Sequence, residues 1–369
     1  HDDLANSLKA QQKFAEAQEH YQAATTILRK ALPDQHPDLA IVSDDLADNY
    51  LVQGQHDLAR KTFEQSLAIR QAILGDVHQD TVRSHVNLGQ ALYDQGDYPA
   101  ARVRWQKAVE LFEPVRMRMA LSGLGRAVTS GEQSPHQLLA AITARGGAAT
   151  AAWQSYEQSL SRGLLDDLAS RRKRKSLSDA DRQREAQLVA QCRRVDAQVA
   201  LLNYQDVQAR QKTLATLRQT RASLQADLSE FRKQLATRYG IAAGTSYPLK
   251  RIQATLPADT ALVSWLDVPG RENASDPNGE HWAVLLRRTG DPRWVRLPGN
   301  EGEWFPEDES LGADLANELK TIATQGLQAT RAEPPEIIEQ LREQRITPLE
   351  PLFKAGDGLP AVRHLVVLP

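Results

Sequence analysis

The chain holds one cysteine, Cys192, and nine histidines, so nucleophilic and metal chemistry have few places to reside. A catalytic thiol needs a lowered pKa and an exposed, electropositive setting. Cys192 instead falls in the apolar series Leu188, Cys192, Val195, Val199, Leu202 and reads as a small core residue. A lone cysteine excludes an internal disulfide and a multi-cysteine metal site. No two histidines have the i, i+4 spacing of a zinc helix, and no GxGxxG or GKS/GKT loop cradles phosphates, so neither metal nor cofactor is expected. Asp166 and Asp167 are adjacent, and neighbouring side chains on a helix diverge, so they do not form a general acid/base pair. No catalytic residue is assigned.

Charge narrows the partners. The formal net charge is −2, which provides no field to recruit nucleic acid or an anionic membrane. The basic run RRKRK at 171–175 is short, lacks aromatic neighbours and reads as a solvated face or joint. No apolar run approaches the roughly 18 residues of a spanning helix. The single cysteine fits a reducing compartment, and a cytoplasmic location is the default expectation.

Residues 1 to about 240 are rich in Ala, Gln, Leu and Arg and poor in Pro, and read as all helical. The remainder, with Trp265, Trp282, Trp294 and Trp304, reads as mixed α and β. Gly240, Gly244 and Pro248 mark the change. Within the first part, LANSLKAQQKFAEAQEHYQAA (from Leu4), LADNYLVQGQHDLARKTFEQS (from Leu46) and LGQALYDQGDYPAARVRWQKA (from Leu88) align at a constant 42-residue offset. Small residues recur at Ala5, Ala47, Gly89 and at Ala17, Ala59, Ala101, where two antiparallel helices must approach closely. An aromatic recurs at Tyr21, Phe63, Trp105 and is expected to fill the gap towards the next unit. Gln12, Gly54 and Gly96 mark the turn, and a glycine there can take the left-handed conformation that ends a helix. Asp38 and Asp80, in the connectors LPDQHPD and LGDVHQD, are expected N-caps.

These three units resemble the tetratricopeptide repeat (TPR), and the 42-residue spacing with its LG…H connector resembles the longer variant of kinesin light chains. The resemblance implies a superhelix whose first helices line a groove for a protein or peptide ligand. Carried over position by position, it points to Asp44, Asp48 and Leu51 in the second unit and Arg83, Val86, Asn87, Gln90 and Tyr93 in the third. Asn87 matches a position where such proteins hold a ligand backbone. The competing reading is that these residues form a solvated face or pack on another part of the chain.

Beyond the repeats, Ser178 with Asp181 three residues on reads as a helix cap. The Leu188–Leu202 series and a second series, Leu214, Leu217, Arg221, Leu224, Leu228, Phe231, Leu235, both step by threes and fours as coiled-coil seams do. They are out of phase, which favours two helices folded back near 203–208, although the lack of Gly and Pro there leaves one long bent helix open.

From Ser246 the pattern turns to strands. TALVSWLDV (260–268), HWAVLLRR (281–288) and RWVRLP (293–298) are expected to form an antiparallel meander. Helices follow near 311–326 and 335–352, then RHLVVLP reads as a strand buried on both faces of a parallel sheet. With LPADTALVSWLDV, WAVLLRR, ITPLEPLFKAG and RHLVVLP in that order after repeats, this part resembles the opening of the CHAT family of caspase-like domains. That resemblance implies a cysteine peptidase with its His in a GHG context and its Cys in an SAC-like context, neither of which occurs here. His281 and His364 are therefore read as structural or surface residues, and the dyad would follow Pro369. Residue 1 is His rather than Met, and the chain stops on a strand, so a segment of a longer protein is expected.

The resulting fold class is multidomain: an all-α TPR superhelix and coiled-coil helices followed by the start of an α/β caspase-like domain. The expected regions are 1–113 (repeats), 114–175 (degenerate repeat-like helices), 176–240 (helical pair) and 247–369 (front of the CHAT domain). The expected function is a protein-interaction scaffold that recruits or regulates a caspase-like peptidase. The rival is a non-catalytic adaptor like kinesin light chain with a structural α/β part.

Overall fold

A computed structural model describes residues 1–119, 134–160, 178–202, 248–299 and 336–368, with single positions between 213 and 235 and at 302, 304 and 308. The expected helix near 311–326 and the turn at 203–208 lie outside the described residues. The chain divides into two compact units. The first comprises His1–His136, Gln158–Ser246 and the tripeptide Asn273–Ser275; the second comprises Gln137–Glu157, Tyr247–Glu272 and Asp276–Pro369.

The first unit opens with three helix pairs: α1 (Asp2–Ala10) with α2 (Phe14–Ala31), α3 (Pro37–Val52) with α4 (His56–Leu74), and α5 (Gln79–Asp94) with α6 (Tyr98–Met119). Each pair packs on itself, and α2 on α3 and α4 on α5 join the pairs into a stack. The small residues lie where the helices meet: Ala5, Ala47, Ala17, Ala59 and Ala101 are fully buried. A Cβ at Gly89 would overlap the Trp105 indole. The recurring aromatic therefore fills its own hairpin, not the gap to the next: Trp105 Nε1 donates to Val86 O (3.2 Å) and Tyr21 Oη to Asn6 Oδ1 (2.7 Å). Short sequence separation explains this, because a partner one turn-connected helix away is the first surface the ring can cover.

The turns close in a left-handed residue, Gly54 at φ +70° and Gly96 at φ +86°. Gln12 adopts the same conformation at φ +60° despite its side chain. The N-caps differ from expectation. His36 and His78, not Asp38 and Asp80, cap α3 and α5: each imidazole Nδ1 accepts the backbone N–H two residues on, at 3.2 Å. The aspartates sit inside the first turn, where their charge favours the positive end of the helix dipole.

Also in the first unit, α9 (Asp179–Leu202) is capped by Ser178, whose Oγ accepts the Asp181 N–H (3.1 Å) and donates to Asp181 Oδ2 (2.8 Å). Its residues Leu188 and Cys192 pack with Leu228, Leu224 and Phe231, so the two seams face one another within one chain. Arg221, placed on the second seam, donates to Leu74 O at the end of α4 (3.4 Å).

In the second unit a four-stranded sheet has the order β3-β2-β1-β4. Strands β1 (Thr260–Val268), β2 (Glu280–Leu286) and β3 (Arg293–Arg296) are antiparallel neighbours, as expected, and β4 (His364–Leu368) runs parallel to β1. One face (Ala261, Val263, Ala283, Leu285) packs with Leu297, Leu349 and Phe353, the latter two in the 3₁₀ segment Thr347–Phe353 that follows α11 (Glu336–Arg345). The other face meets α8 (Ala149–Ser159), which follows α7 (Pro135–Arg145) in the chain: Tyr156 Oη lies 2.7 Å from Ser264 Oγ and 2.6 Å from Trp265 O, and Trp294 Nε1 donates to Ala149 O (3.0 Å). A short helix, α10 (Leu249–Ala254), precedes β1. Residues 137–157 are grouped with the sheet, and Tyr156 and Ala149 find hydrogen-bond partners on β1 and β3. The strand β4 is not buried on both faces. Leu365, Val366 and Val367 are 41%, 42% and 53% exposed, because β4 is an edge strand with β1 as its one neighbour among the described strands.

Candidate functional site

The first helices α1, α3 and α5 touch in succession, and the constant offset puts equivalent residues in line along them. Two classes of position emerge. Asp44, Leu51 and Tyr93 point into the packing and are buried. Asp44 forms a buried ion pair with Arg70 of α4, whose guanidinium also donates to Ser84 Oγ of α5 (2.7 Å). Tyr93 packs edge-on against Tyr98 (5.2 Å between ring centres) and tilted against Trp105 (5.7 Å). These side chains are engaged in holding the stack together. Val86 is likewise engaged, packing on the cluster of Val82, Leu111 and Phe112.

Asp48, Asn87 and Gln90 are half-exposed, and Arg83 is exposed, pairing with Asp80 of its own helix at 3.0 Å. Asp48 lies 4.0 Å from Lys9 Nζ on α1, and Gln90 Nε2 donates to Asp94 Oδ1 (2.7 Å). By the 42-residue offset Gln90 is the equivalent of Asp48, and the equivalent of Asn87 is Asp45. Asp44, named from the sequence, is by the same offset the equivalent of Val86, and Asp45 was not named. The offset itself was the signal that identifies Asp45.

Asp45 sits in an acidic neighbourhood. Burial, and then Asp2, push its pKa up to about 6; Lys9 pulls in the other direction, and Asp48 and Asp44 add to the rise. Asp2 is raised for the same kind of reason, by burial and then Asp3. The nearby Tyr21 phenol is also pushed up, by burial first and then by Asp45, Asp2 and Asp48. A carboxylate held near neutrality beside others is stabilised by any cation that approaches it. By the offset the row reads Asp3 and Asn6, then Asp45 and Asp48, then Asn87 and Gln90, so the second repeat presents carboxylates and the third carboxamides.

The sheet unit has its own polar cluster at the end of β1. Asp267 stands directly opposite His281 in the strand register, and its Oδ1 lies 2.8 Å from His281 Nδ1. Arg345 donates to both Asp267 oxygens (2.7 and 2.9 Å). Burial raises the Asp267 pKa, but hydrogen bonds from His281 and Arg345 outweigh it and hold the carboxyl below its ordinary value. Trp304 stacks on the His281 ring (3.8 Å between centres), with the Arg345 guanidinium carbon 4.8 Å from the same indole centre. His281 is buried, so its reading as a structural residue fits its setting, and His364 is exposed. Cys192 is buried among Leu188, Leu224, Leu228 and Phe231. Among the described residues no group of three or more His, Cys, Asp or Glu could hold a metal ion, and no helix is long and apolar enough to cross a membrane.

A family model described as tetratricopeptide repeat matches residues 1–71 and 45–113. Residues 1–113 are therefore tetratricopeptide repeats. Among curated proteins no sequence matches the chain. Solved structures similar to it include BtubC (BKLC) from P. vanneervenii, at 17% identity and TM-score 0.37, covering 43% of this chain and 59% of that one. A putative kinesin light chain with nearly identical TPR-like repeats from Podosopora anserina is similar at 19% identity and TM-score 0.37, covering 64% of this chain and 94% of that one. Similarity at this level carries no functional argument, and the chain spans little more than half the length of the first structure.

Proposed function

We propose that the repeat stack is a protein-interaction scaffold in which the polar row Asp45, Asp48, Asn87 and Gln90 holds an extended peptide. The observation that carries this reading is the register: two polar positions per first helix, half-exposed, recur one repeat apart, as a ligand of regular backbone requires. Carboxamides at Asn87 and Gln90 can donate to and accept from a peptide backbone, whereas Asp45 and Asp48 can only accept when ionised. The second repeat therefore favours a ligand with donors or positive charge, and the third favours its backbone. Arg83 flanks the row. Asp45→Ala with Asn87→Ala is expected to weaken partner recovery about tenfold, the scale of one or two lost hydrogen bonds. Unchanged recovery with both substitutions, in a chain whose helical signal is intact, removes the site.

The sheet unit is read as the front of a CHAT, caspase-like domain that the repeats recruit or restrain. Support comes from strand order: an antiparallel β1–β2–β3 meander, then β4 returning parallel to β1, after an array of repeats. No catalytic residue is assigned to the described part, and the chain is expected to be inactive as a peptidase. The reading frame beyond Pro369 tests this directly. A GHG and a later SAC support the peptidase parent; a continuation without them leaves the adaptor reading, which the kinesin-light-chain-like 42-residue spacing favours.

A further inference from the structure

A second surface of the stack already carries a peptide. The residues involved lie at the turns between the two helices of a pair, where Asp94 also accepts from Gln90 of the polar row through its side chain. Val52 is the last residue of α3 and Asp94 the last of α5, and they are equivalent, one 42-residue repeat apart. Carbonyls in the last turn of a helix have no helical donor and remain open to an outside N–H. Both are taken by the tripeptide Asn273–Ser275 of the same unit. Asn273 Nδ2 donates to Val52 O (2.8 Å), and the Ser275 backbone N–H donates to Asp94 O (2.7 Å). His56, at the start of α4, adds a bond from Nε2 to Asn273 O (2.8 Å).

The turn glycines make this approach possible. An added Cβ at Gly54 would lie 3.3 Å from Asn273 Cβ, and one at Gly96 would lie 3.0 Å from Ser275 Oγ. The tripeptide thus meets the same two features, a terminal carbonyl and a turn glycine, once in each of two successive repeats. In the first repeat the equivalent carbonyl belongs to Ala10, but the turn residue there is Gln12, which carries a side chain where the other two repeats have a glycine.

We propose that this turn row, at the C-terminal ends of the first helices, is a second peptide-docking edge of the array and that Asn273–Ser275 is its resident ligand. The edge selects an extended segment with a carboxamide side chain followed, two residues on, by a small residue with a free backbone N–H. Its occupancy in cis closes the edge to other segments of that chemistry and leaves the polar row open.

Hydrogen exchange on the full chain tests the occupancy. The Ser275 amide is expected to exchange at least about tenfold more slowly than in the free peptide RENASDPNGE, since it is hydrogen-bonded. Exchange at the free-peptide rate overturns the proposal without any variant. The pair Asn273→Ala and Ser275→Pro removes both donors. In that variant, tryptic cleavage after Arg271 is expected to rise several-fold and a labelled RENASDPNGE peptide at millimolar concentration to bind where it does not bind the parent chain. Cleavage at the parental rate, or equal peptide binding to both chains, overturns it.

Discussion

Arg70 of α4 and Asp44 of α3 form an ion pair inside the stack, at positions that are apolar in the third repeat. The 42-residue offset makes Arg70 equivalent to Leu28 and Phe112, and Asp44 equivalent to Asp2 and Val86. A buried ion pair is costly to break from one side and cheap to replace whole. Arg70→Phe alone is expected to destabilise the chain by about 3–5 kcal/mol, because Asp44 keeps its buried charge without a counterion. Asp44→Val with Arg70→Phe imports the third repeat's own pair and is expected to recover most of that loss. Urea unfolding of the two single variants and the double variant provides the comparison. An additive loss would show that the pair is not the coupling between α3 and α4.

The histidine caps make a separate prediction. His78 Nδ1 accepts the Asp80 N–H, so its ring must keep a lone pair on that nitrogen. Replacing His78 by Ala removes the acceptor and is expected to cost about 1 kcal/mol, whereas Asn, a good cap, is expected to cost little. Thermal unfolding of His78→Ala against His78→Asn, each referred to the parent chain, measures the difference. Equal losses in both would mean that the imidazole contributes packing and not a cap.

The repeat was legible because every unit repeats the same packing problem: Ala47 and Phe63 have counterparts at the same offsets on either side. The meander was legible because β1 and β2 alternate or run apolar between clear turn signals. What escaped were features that depend on three-dimensional neighbours. Asp38 is a better cap by type than His36, but the connector places the imidazole, not the carboxylate, one residue ahead of the helix. The β4 run is apolar enough for a buried strand, yet its place at the sheet edge leaves it exposed. Tyr156 lies on a helix whose pattern does not announce a strand partner, and its hydroxyl contacts on β1 depend on the fold. For the candidate site, Asp44 and Asp45 are adjacent and both acidic, each with an equivalent one repeat on in Val86 and Asn87, and burial distinguishes them.

Two titrations of opposite sign meet in the repeats. Burial, with Arg104 and Lys107 nearby, pushes His85 down to about 4, with Asp76 opposing. Between the ordinary histidine value and about 4 the unfolded chain binds the extra proton, so His85 removes stability as pH falls through that window. Asp45 is raised to about 6, so between that value and the ordinary carboxylate value the folded chain binds the extra proton. Its contribution therefore grows as pH falls. Asp45→Asn is expected to be more stable than the parent chain above pH 7, since a crowded charge is gone, and to lose that advantage as pH approaches 4. Denaturation midpoints of both chains from pH 8 to pH 4 provide the difference curve. An advantage that widens on acidification would contradict the assignment.

The sheet unit should respond in the opposite sense at Asp267. Its carboxyl is held below the ordinary value by His281 and Arg345, so the stability it provides is present above the unfolded carboxylate pKa and is lost as pH falls through the folded one. Asp267→Asn keeps an acceptor for one donor but leaves the Arg345 guanidinium without its counter-charge. Charge-assisted bonds are worth roughly 1.5–3 kcal/mol, and a loss in that range is expected near neutral pH. The loss should reach α11 first, because Arg345 is its last residue and Trp265 Nε1 donates to the Arg345 carbonyl (3.2 Å). Hydrogen exchange should therefore rise across 336–353 in Asp267→Asn while the β1–β2 amides keep their protection. Uniform loss of protection across the sheet would show instead that Asp267 supports the strand pairing itself.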